Sequence, residues 1–584
     1  MTFSELTTYF EQLEQTSSRL ALIDILADLF NKTSADTIDQ VIYLAQGRVA
    51  PFYSATEIGM ADKMVAQSIG EAFGISKDEV LVRYSKKGDL GLVAFDLAQG
   101  STLKGNIAEK NVQDVFQALK GIAHTGGVGS VERKITALKD LLQQVDALSV
   151  KHLVRIPMGN TRLGIGDPTL LDGMALAVLG DRSKRKLLEK AYNETSDLGL
   201  IGKTLLSGGL DKVQQLTVTV GRPIRSELCE RLPNPEKVFS KMGEQVNATY
   251  KYDGFRVQIH KNGDKIEMFS RNLEDMTHMF PELIEATRRQ VHADTAILDS
   301  EALAYQPDSE EFLPFQETTK RRRKHNIAEM AQSLPLKAFV FDVLYLNGKS
   351  LIDTPLTERM EIMKQVIHGD DTLIPSPGVY LDDHVQLQDM LDDAISKGLE
   401  GVVIKRPDSG YVAGGRNFNW VKLKRHSSGE LHDTIDAVIL GYIYGKGKRT
   451  SFGAGALLVG LYDPSEDQFV SVSRIGTGLT DDEWKSIKEK TKGLELDHKP
   501  ARVHSLITPS VWVKPEIVIE VLADEITRSP MHTAGAKVLN DGTKEPGYAL
   551  RFPRLVNFRD KDKKAEDSTT VAELIAMYQQ QGKK

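Results

Sequence analysis

The spacing of apolar residues changes twice along the chain, and those two changes bound what it can fold into. Up to about residue 216 they recur at helical intervals, as in Phe3, Leu6, Phe10 and Leu13, then Leu22, Ile25, Leu26, Leu29 and Phe30. From about 217 they fall into short β-type runs, ATYKYDGFRVQIH, KIEMFSR, AILDSEALAY, KAFVFDVLYLNG and EGVVIKR, separated by helical stretches such as Phe280 to Gln290. After the basic run WVKLKR and the polar HSSGELHD, many short strands alternate with glycine-rich turns, as in DAVILGYIYG, ALLVGLYD and VWVKPEIVIEVLADEI. A period of 3.6 and a period of 2 cannot serve one element, and 584 residues are too many for one core, so several domains are expected. The divisions fall at 1–216, all-α, at 217–425, α+β, and at 426–584, a small β-barrel. A closing amphipathic helix carries Val571, Leu574, Ile575 and Tyr578, with Ser568 or Thr569 as its cap.

Charge and composition exclude several classes. Lys plus Arg number 74 and Asp plus Glu 81, a net charge of −7, which rules out a globally basic coat protein but leaves room for a local basic groove. With 41% hydrophobic residues the chain is too apolar for disorder. Cys229 is the one cysteine, so there is no disulfide framework and no cysteine-based zinc module. No stretch approaches the ~20 apolar residues of a bilayer span, and the N-terminus has no leader pattern. A cytoplasmic, membrane-free location is expected.

Glycines interrupt the helical third at HTGGVGSVERK, 124–134, and MGNTRLGIGDPTLLDGMA, 158–175, where Asp167 can cap a helix and Pro168 can enter its first turn. Backbone N–H groups there, with Arg133, Lys134 and Arg162 nearby, suit phosphates, although ordinary helix-helix turns explain the same pattern. Gly202, Lys203 and Thr204 do not make a P-loop, because Asp197 stands where the loop needs its first glycine. The run KRRRK, 320–324, reads as a solvated face or as a salt-sensitive phosphate contact.

The chemically informative series begins at TYKYDGFR, with Lys251, Asp253, Gly254 and Arg256, and continues through SRN at 270–272, DSE at 299–301, FDVLYLNG at 341–348, EGVVIK at 400–405 and WVKLK at 420–424. In this order the segments resemble the covalent nucleotidyltransferases: ATP-dependent DNA ligases, RNA ligases and capping enzymes. The helical third, GRPIRSEL at 221–228, RSP at 528–530, RFPR at 551–554 and the EDSTTV tail narrow this to a resemblance to archaeal-type ATP-dependent DNA ligases over nearly the whole chain.

That resemblance implies a helical DNA-binding domain, an adenylation domain and an OB-fold domain, acting on nicked duplex DNA in replication, repair and recombination. Lys251 would attack the α-phosphate of ATP, which requires a neutral amine, with Lys405, Lys422 and Lys424 as surrounding cations. Thr249 and Tyr250 would flank the nucleotide, Glu301 would contact the ribose and Phe341 would stack on the adenine. Arg256 and Arg271 would handle ribose and the 5′-phosphate of the nick, and Asp253 would sit near the attacking 3′-hydroxyl. Mg²⁺, or Mn²⁺ in its place, is expected on Glu400 and Glu301. Arg554, Arg559 and Lys561 or Lys563 would orient the departing pyrophosphate, with HSSGELHD as hinge.

The chain departs from the pattern at Thr249, where a glutamate is usual, which leaves the choice among ATP, ADP and GTP open. The stretch QGSTL, 99–103, lacks the aromatic pair of sliding-clamp binders, so a clamp contact there is expected to be weak. A single chain suffices for the mechanism, so a monomer is expected. An RNA-joining or capping enzyme would share the Lys251 chemistry, and a scaffold with a dead pocket would not need these cations.

Overall fold

The computed structural model describes the chain except for residues 17, 102–108, 233, 306–312, 314–317, 322–325, 370, 398, 425–433, 445–452, 477–478, 539–543, 560–562 and 581–584. The expected hinge, most of KRRRK, part of QGSTL, and Lys561 therefore lie outside the described residues. The chain forms two compact units, Met1–Arg425 and His426–Lys584.

The first unit opens with helices from Phe3–Gln15 to Leu198–Gln214. Thr2 and Asn111 start two of them with capping boxes closed by Glu5 and Asp114. Gly74, Gly88 and Gly180 end three others in the left-handed conformation. Leu6, Phe10, Leu26, Phe30 and Ile42 join one buried core, as their spacing requires. Helix Asp167–Leu179 crosses Arg19–Asn31 at Gly173, where a Cβ would lie 2.8 Å from Leu26 Cβ, so only glycine allows that approach. Gly202, Lys203 and Thr204 lie inside helix Leu198–Gln214, which confirms that they form no phosphate loop.

One local expectation fails because tertiary partners outbid a local one. Asp167 does not cap its helix: Gly166 holds that position, and the Asp167 carboxylate accepts from Tyr192 Oη at 2.6 Å and Gln46 Nε2 at 3.2 Å. The glycine-rich loops form helix turns whose cations contact backbone carbonyls. Arg133 donates to the Val128 carbonyl at 2.8 Å and the Gly126 carbonyl at 2.6 Å, Lys134 to the Ile58 carbonyl at 2.8 Å, and Arg162 to the Gly88 carbonyl at 2.6 Å.

The rest of the unit is built on two sheets. One has the order Leu228–Arg231, Arg416–Lys424, Gly401–Lys405, Val246–Lys251 and Val379–Leu381. The other runs Lys265–Ser270, Phe255–Asn262, Thr295–Ala304, Leu336–Leu346 and Lys349–Ser350, with Leu373–Pro375 beside Leu336–Leu346. The chain crosses from one sheet to the other through the short turn between Lys251 and Phe255. Gly254 makes that turn possible, since a Cβ there would meet the Ala302 carbonyl oxygen at 2.3 Å. Helices Pro281–Gln290 and Leu356–Val366 cover the second sheet with Leu283, Ala286, Met360 and Met363.

The second unit is a curled, OB-like half-barrel around Ile435–Ile443, Ala456–Asp463 and Gln468–Ile475. Val518–Leu522 pairs with Ile435–Ile443 and with Arg554–Phe558. Helix Val571–Gln580 buries Val571 and Leu574 as expected, but its cap is Thr570, whose hydroxyl accepts from Glu573 N at 3.3 Å while Glu573 accepts from Thr570 N at 2.7 Å. Among the described residues no helix is long and apolar enough to cross a membrane.

One buried charge pair anchors the second sheet. Arg359 and Asp342 have fully buried side chains, with Nε donating to Oδ1 at 2.8 Å, and Arg359 also donates to the Ser409 carbonyl at 3.2 Å. Arg359→Met strands the carboxylate in a dry core and is expected to destabilise the first unit by about 3–5 kcal/mol. The shift of its denaturant midpoint measures this, and a loss below about 1 kcal/mol, the scale of an exposed pair, refutes it.

Candidate active site

A cavity of about 590 Å³ lies where the two sheets of the first unit meet. Strand alternation decides which residues face it. In the first sheet Thr249, Lys251, Val403, Lys405, Trp420 and Lys422 line the cavity, joined by part of Tyr250, while Ala248, Val402, Ile404, Val421 and Leu423 fill the core behind. The second sheet adds Arg256, Glu301 and Phe341.

Lys251 ends its strand opposite Gly401, so Glu400 comes alongside and donates its backbone N–H to the Lys251 carbonyl at 3.0 Å. Their side chains form an ion pair, both about a quarter exposed. The resemblance implies cations around Lys251; the contact of its amine is the Glu400 carboxylate. Lys405 is instead buried, donates to the Phe341 carbonyl at 2.8 Å, and lies 4.8 Å and 4.2 Å from the centroids of the Phe341 and Trp420 rings. Burial lowers its ammonium to about 8. Lys422 lines the same wall, whereas the Lys424 side chain lies outside the described residues.

Glu301 faces Arg256 across the strands Phe255–Asn262 and Thr295–Ala304. Burial pushes its carboxyl up to about 7; Lys251 and Arg256 pull it down, and Asp299 and Glu400 push it further up. Arg256 is locked by Asp299, to which Nε donates at 2.9 Å and Nη2 at 2.5 Å. Thr249 is buried and its hydroxyl donates to the Val403 carbonyl at 3.4 Å.

Arg271 stands exposed on the cavity rim, in a turn that Ser270 Oγ closes by accepting from Asn272 N at 3.2 Å and Glu274 N at 3.1 Å. Leu273 there has φ +66°, a strained conformation for leucine.

Two expected residues are placed differently: Tyr250 lines the cavity with its hydroxyl turned away, and Asp253 lies off the wall. The Tyr250 hydroxyl is committed to Asp393 on helix His384–Ser396, with Lys397 4.9 Å from its ring centroid. Asp253 sits half-buried in the turn after Lys251 and does not line the cavity. In the second unit Arg554 pairs with Asp524 at 2.6 Å, Arg559 lies 3.9 Å from Asp436, and Lys563 pairs with Asp436.

The structure adds residues that sequence reasoning missed. Cys229 and Arg416 line the cavity through the pairing of Leu228–Arg231 with Arg416–Lys424. Glu227 is fully buried beside them, and burial pushes its carboxyl up to about 8. Leu228 and Arg416 are 188 residues apart in sequence and meet only by that parallel pairing, so no local signal could have found them.

The arrangement is a nucleotide-sized cleft with Lys251 at its mouth, the Phe341 and Trp420 rings and the buried Lys405 within, and three carboxylates, Glu227, Glu301 and Glu400. Family models agree with it: "DNA ligase N terminus" matches residues 2–175, "ATP dependent DNA ligase domain" 226–424 and "ATP dependent DNA ligase C terminal region" 450–563. A probable DNA ligase of Dictyoglomus turgidum is 42% identical over 100% of this chain and 98% of its own length. The DNA ligase of Sulfolobus acidocaldarius is 37% identical over 100% and 99%. The solved structure Pmar-Lig_PreS3 shares the fold at 16% identity and a TM-score of 0.52, covering 95% of this chain and 99% of its own. With full-length identity of this order on top of the assembled cleft, the chain belongs to the ATP-dependent DNA ligases, which seal nicks through adenylation.

Proposed function

We propose that the three transfers of nick sealing run in the cavity at Lys251, with ATP as adenylate donor and nicked duplex DNA as acceptor. The observation that carries this is the position of Lys251: a lysine at the mouth of a closed-backed cleft whose wall already holds Glu301, Arg256, Phe341 and Lys405.

In the first transfer the Lys251 nitrogen attacks the α-phosphorus, a P–N bond forms, and the P–O bond to pyrophosphate breaks. The amine must first lose a proton, and Glu400, in contact with it, is placed to receive it. Phe341 offers the base a face, Glu301 and Arg256 address the ribose, and Lys405 and Lys422 supply positive charge to the phosphates. In the second transfer an oxygen of the nick 5′-phosphate attacks that phosphorus and frees Lys251. In the third the 3′-hydroxyl attacks the 5′-phosphorus and releases AMP. We assign Arg271, on the rim, to the 5′-phosphate and Asp253, in the adjoining turn, to the incoming 3′-hydroxyl. Arg554, Arg559 and Lys563 are assigned to the pyrophosphate, a role that requires release from their acid partners.

Glu301 and Glu400 fit a divalent cation, because both are hard oxygen donors on one cavity and Glu301 is buried among other carboxylates that raise its proton affinity. Bound Mg²⁺ would neutralise phosphate charge there. One chain supplies every group named, so a monomer without a clamp is sufficient.

The decisive experiment incubates the protein with Mg²⁺ and α-labelled ATP or GTP. Acid-labile label from ATP that chases onto nicked DNA supports the reading; label only from GTP that never reaches DNA indicates a capping enzyme. Lys251→Ala is expected to lose labelling by at least about 10³-fold while still sealing a nick that is already adenylated, since that substrate bypasses the nucleophile. Adenylation by the unmutated protein should follow a bell-shaped pH profile. Glu301 must be anionic, so activity falls as pH drops below about 7, and Lys405 must be cationic, so it falls as pH rises above about 8. Lys405→Arg should move only the alkaline limb upward; a profile whose alkaline limb is unchanged by that substitution refutes the assignment.

A further inference from the structure

Tyr411 precedes the strand Arg416–Lys424, is 3% exposed, and has every hydrogen-bonding capacity of its hydroxyl in use. A phenol offers one donor and two acceptor lone pairs. Tyr411 Oη donates to Asp299 Oδ2 at 2.9 Å, and accepts from Glu227 N at 2.9 Å and Arg256 Nη2 at 3.1 Å. Arg256 is thereby nearly exhausted. Of its five N–H groups, Nε and Nη2 serve Asp299, Nη2 also serves Tyr411, and Nη1 donates to the Glu227 carbonyl at 2.9 Å. One Nη1 hydrogen remains for a ligand. The guanidinium carbon also lies 5.3 Å from the centroid of the Phe341 ring, the expected base platform.

We propose that Tyr411 is a positioning residue that turns Arg256 into a single-donor probe of the nucleotide's ribose hydroxyls, and so sets the preference for ATP over 2′-deoxy-ATP. This rests on the adenylation reading above. Removing the hydroxyl leaves a buried Glu227 N–H without its acceptor, deprives Asp299 of a donor and gives Arg256 a second free N–H. Asp299 and the Glu227 carbonyl still hold the guanidinium, so what changes is the number of N–H groups it offers, from one to two. A phenylalanine keeps the ring, which packs edge-on against Trp420 with centroids 5.6 Å apart.

The test measures lysyl-AMP formation by Tyr411→Phe with ATP and with 2′-deoxy-ATP. The KM for ATP is expected to rise about tenfold with kcat changed less than about twofold, while the deoxynucleotide is affected far less, so the kcat/KM ratio of the two nucleotides falls at least about fivefold. Tyr192→Phe serves as control: it removes a buried hydroxyl that donates to Asp167 at 2.6 Å, and Tyr192 does not line the cavity. It should lower stability and leave the nucleotide ratio unchanged. An unchanged ratio in Tyr411→Phe, or an equal shift in Tyr192→Phe, overturns the proposal. Failure of the unmutated protein to form lysyl-AMP would instead overturn the parent reading.

Discussion

The register between strands Val246–Lys251 and Gly401–Lys405 is the constraint on which the active cleft depends. Lys251 is paired with Gly401, and Thr249 with Val403, so the nucleophile and the Glu400 carboxylate arrive together from points 149 residues apart. A slip of one residue would send Thr249 and Lys251 toward the core and bring Ala248 to the wall. The register is held from behind, where Ala248, Val402, Ile404 and Val421 interlock in a dry layer. Hydrophobic packing on one face of this sheet thus positions charge on the other.

Charge in such a place is costly, and the structure meets the cost in two ways. Some groups are matched by fixed partners, as Arg256 is by Asp299 and Arg359 by Asp342. Others are left incompletely compensated, and their proton affinities shift: Glu301 rises to about 7, Glu227 to about 8, and Lys405 falls to about 8. The matched groups give the cleft its shape. The shifted ones line it, where a nucleotide and a cation would supply the missing charge.

The same economy applies to other cations of the chain. Arg133, Lys134 and Arg162 satisfy backbone carbonyls of the helical region, which stiffens its glycine-rich loops. In the second unit Asp524 and Asp436 hold Arg554 and Lys563. A sequence motif shows that a cation is present. Whether it is free depends on which acids and carbonyls the fold brings near, and most of those, such as Ile58 for Lys134 and Asp436 for Lys563, are distant in sequence.

The sequence by itself determined the helical first third, because Leu6, Phe10, Leu26 and Phe30 recur at the one spacing that buries a single helical face. It determined the strands of the cleft for the same reason, since Val402 and Ile404 alternate with Val403 and Lys405. It also named Lys251, Glu301, Phe341, Glu400 and Lys405, whose residue types and order carry the family pattern. Tertiary structure alone decided what each of them touches. It put a carboxylate against Lys251, turned the Tyr250 hydroxyl away to Asp393, brought Cys229 and Arg416 to the cavity wall and set Tyr411 against Arg256 and Asp299. Periodicity is a local property of a chain, whereas partnership between side chains is set by strand pairing across more than a hundred residues, and no local signal carries it.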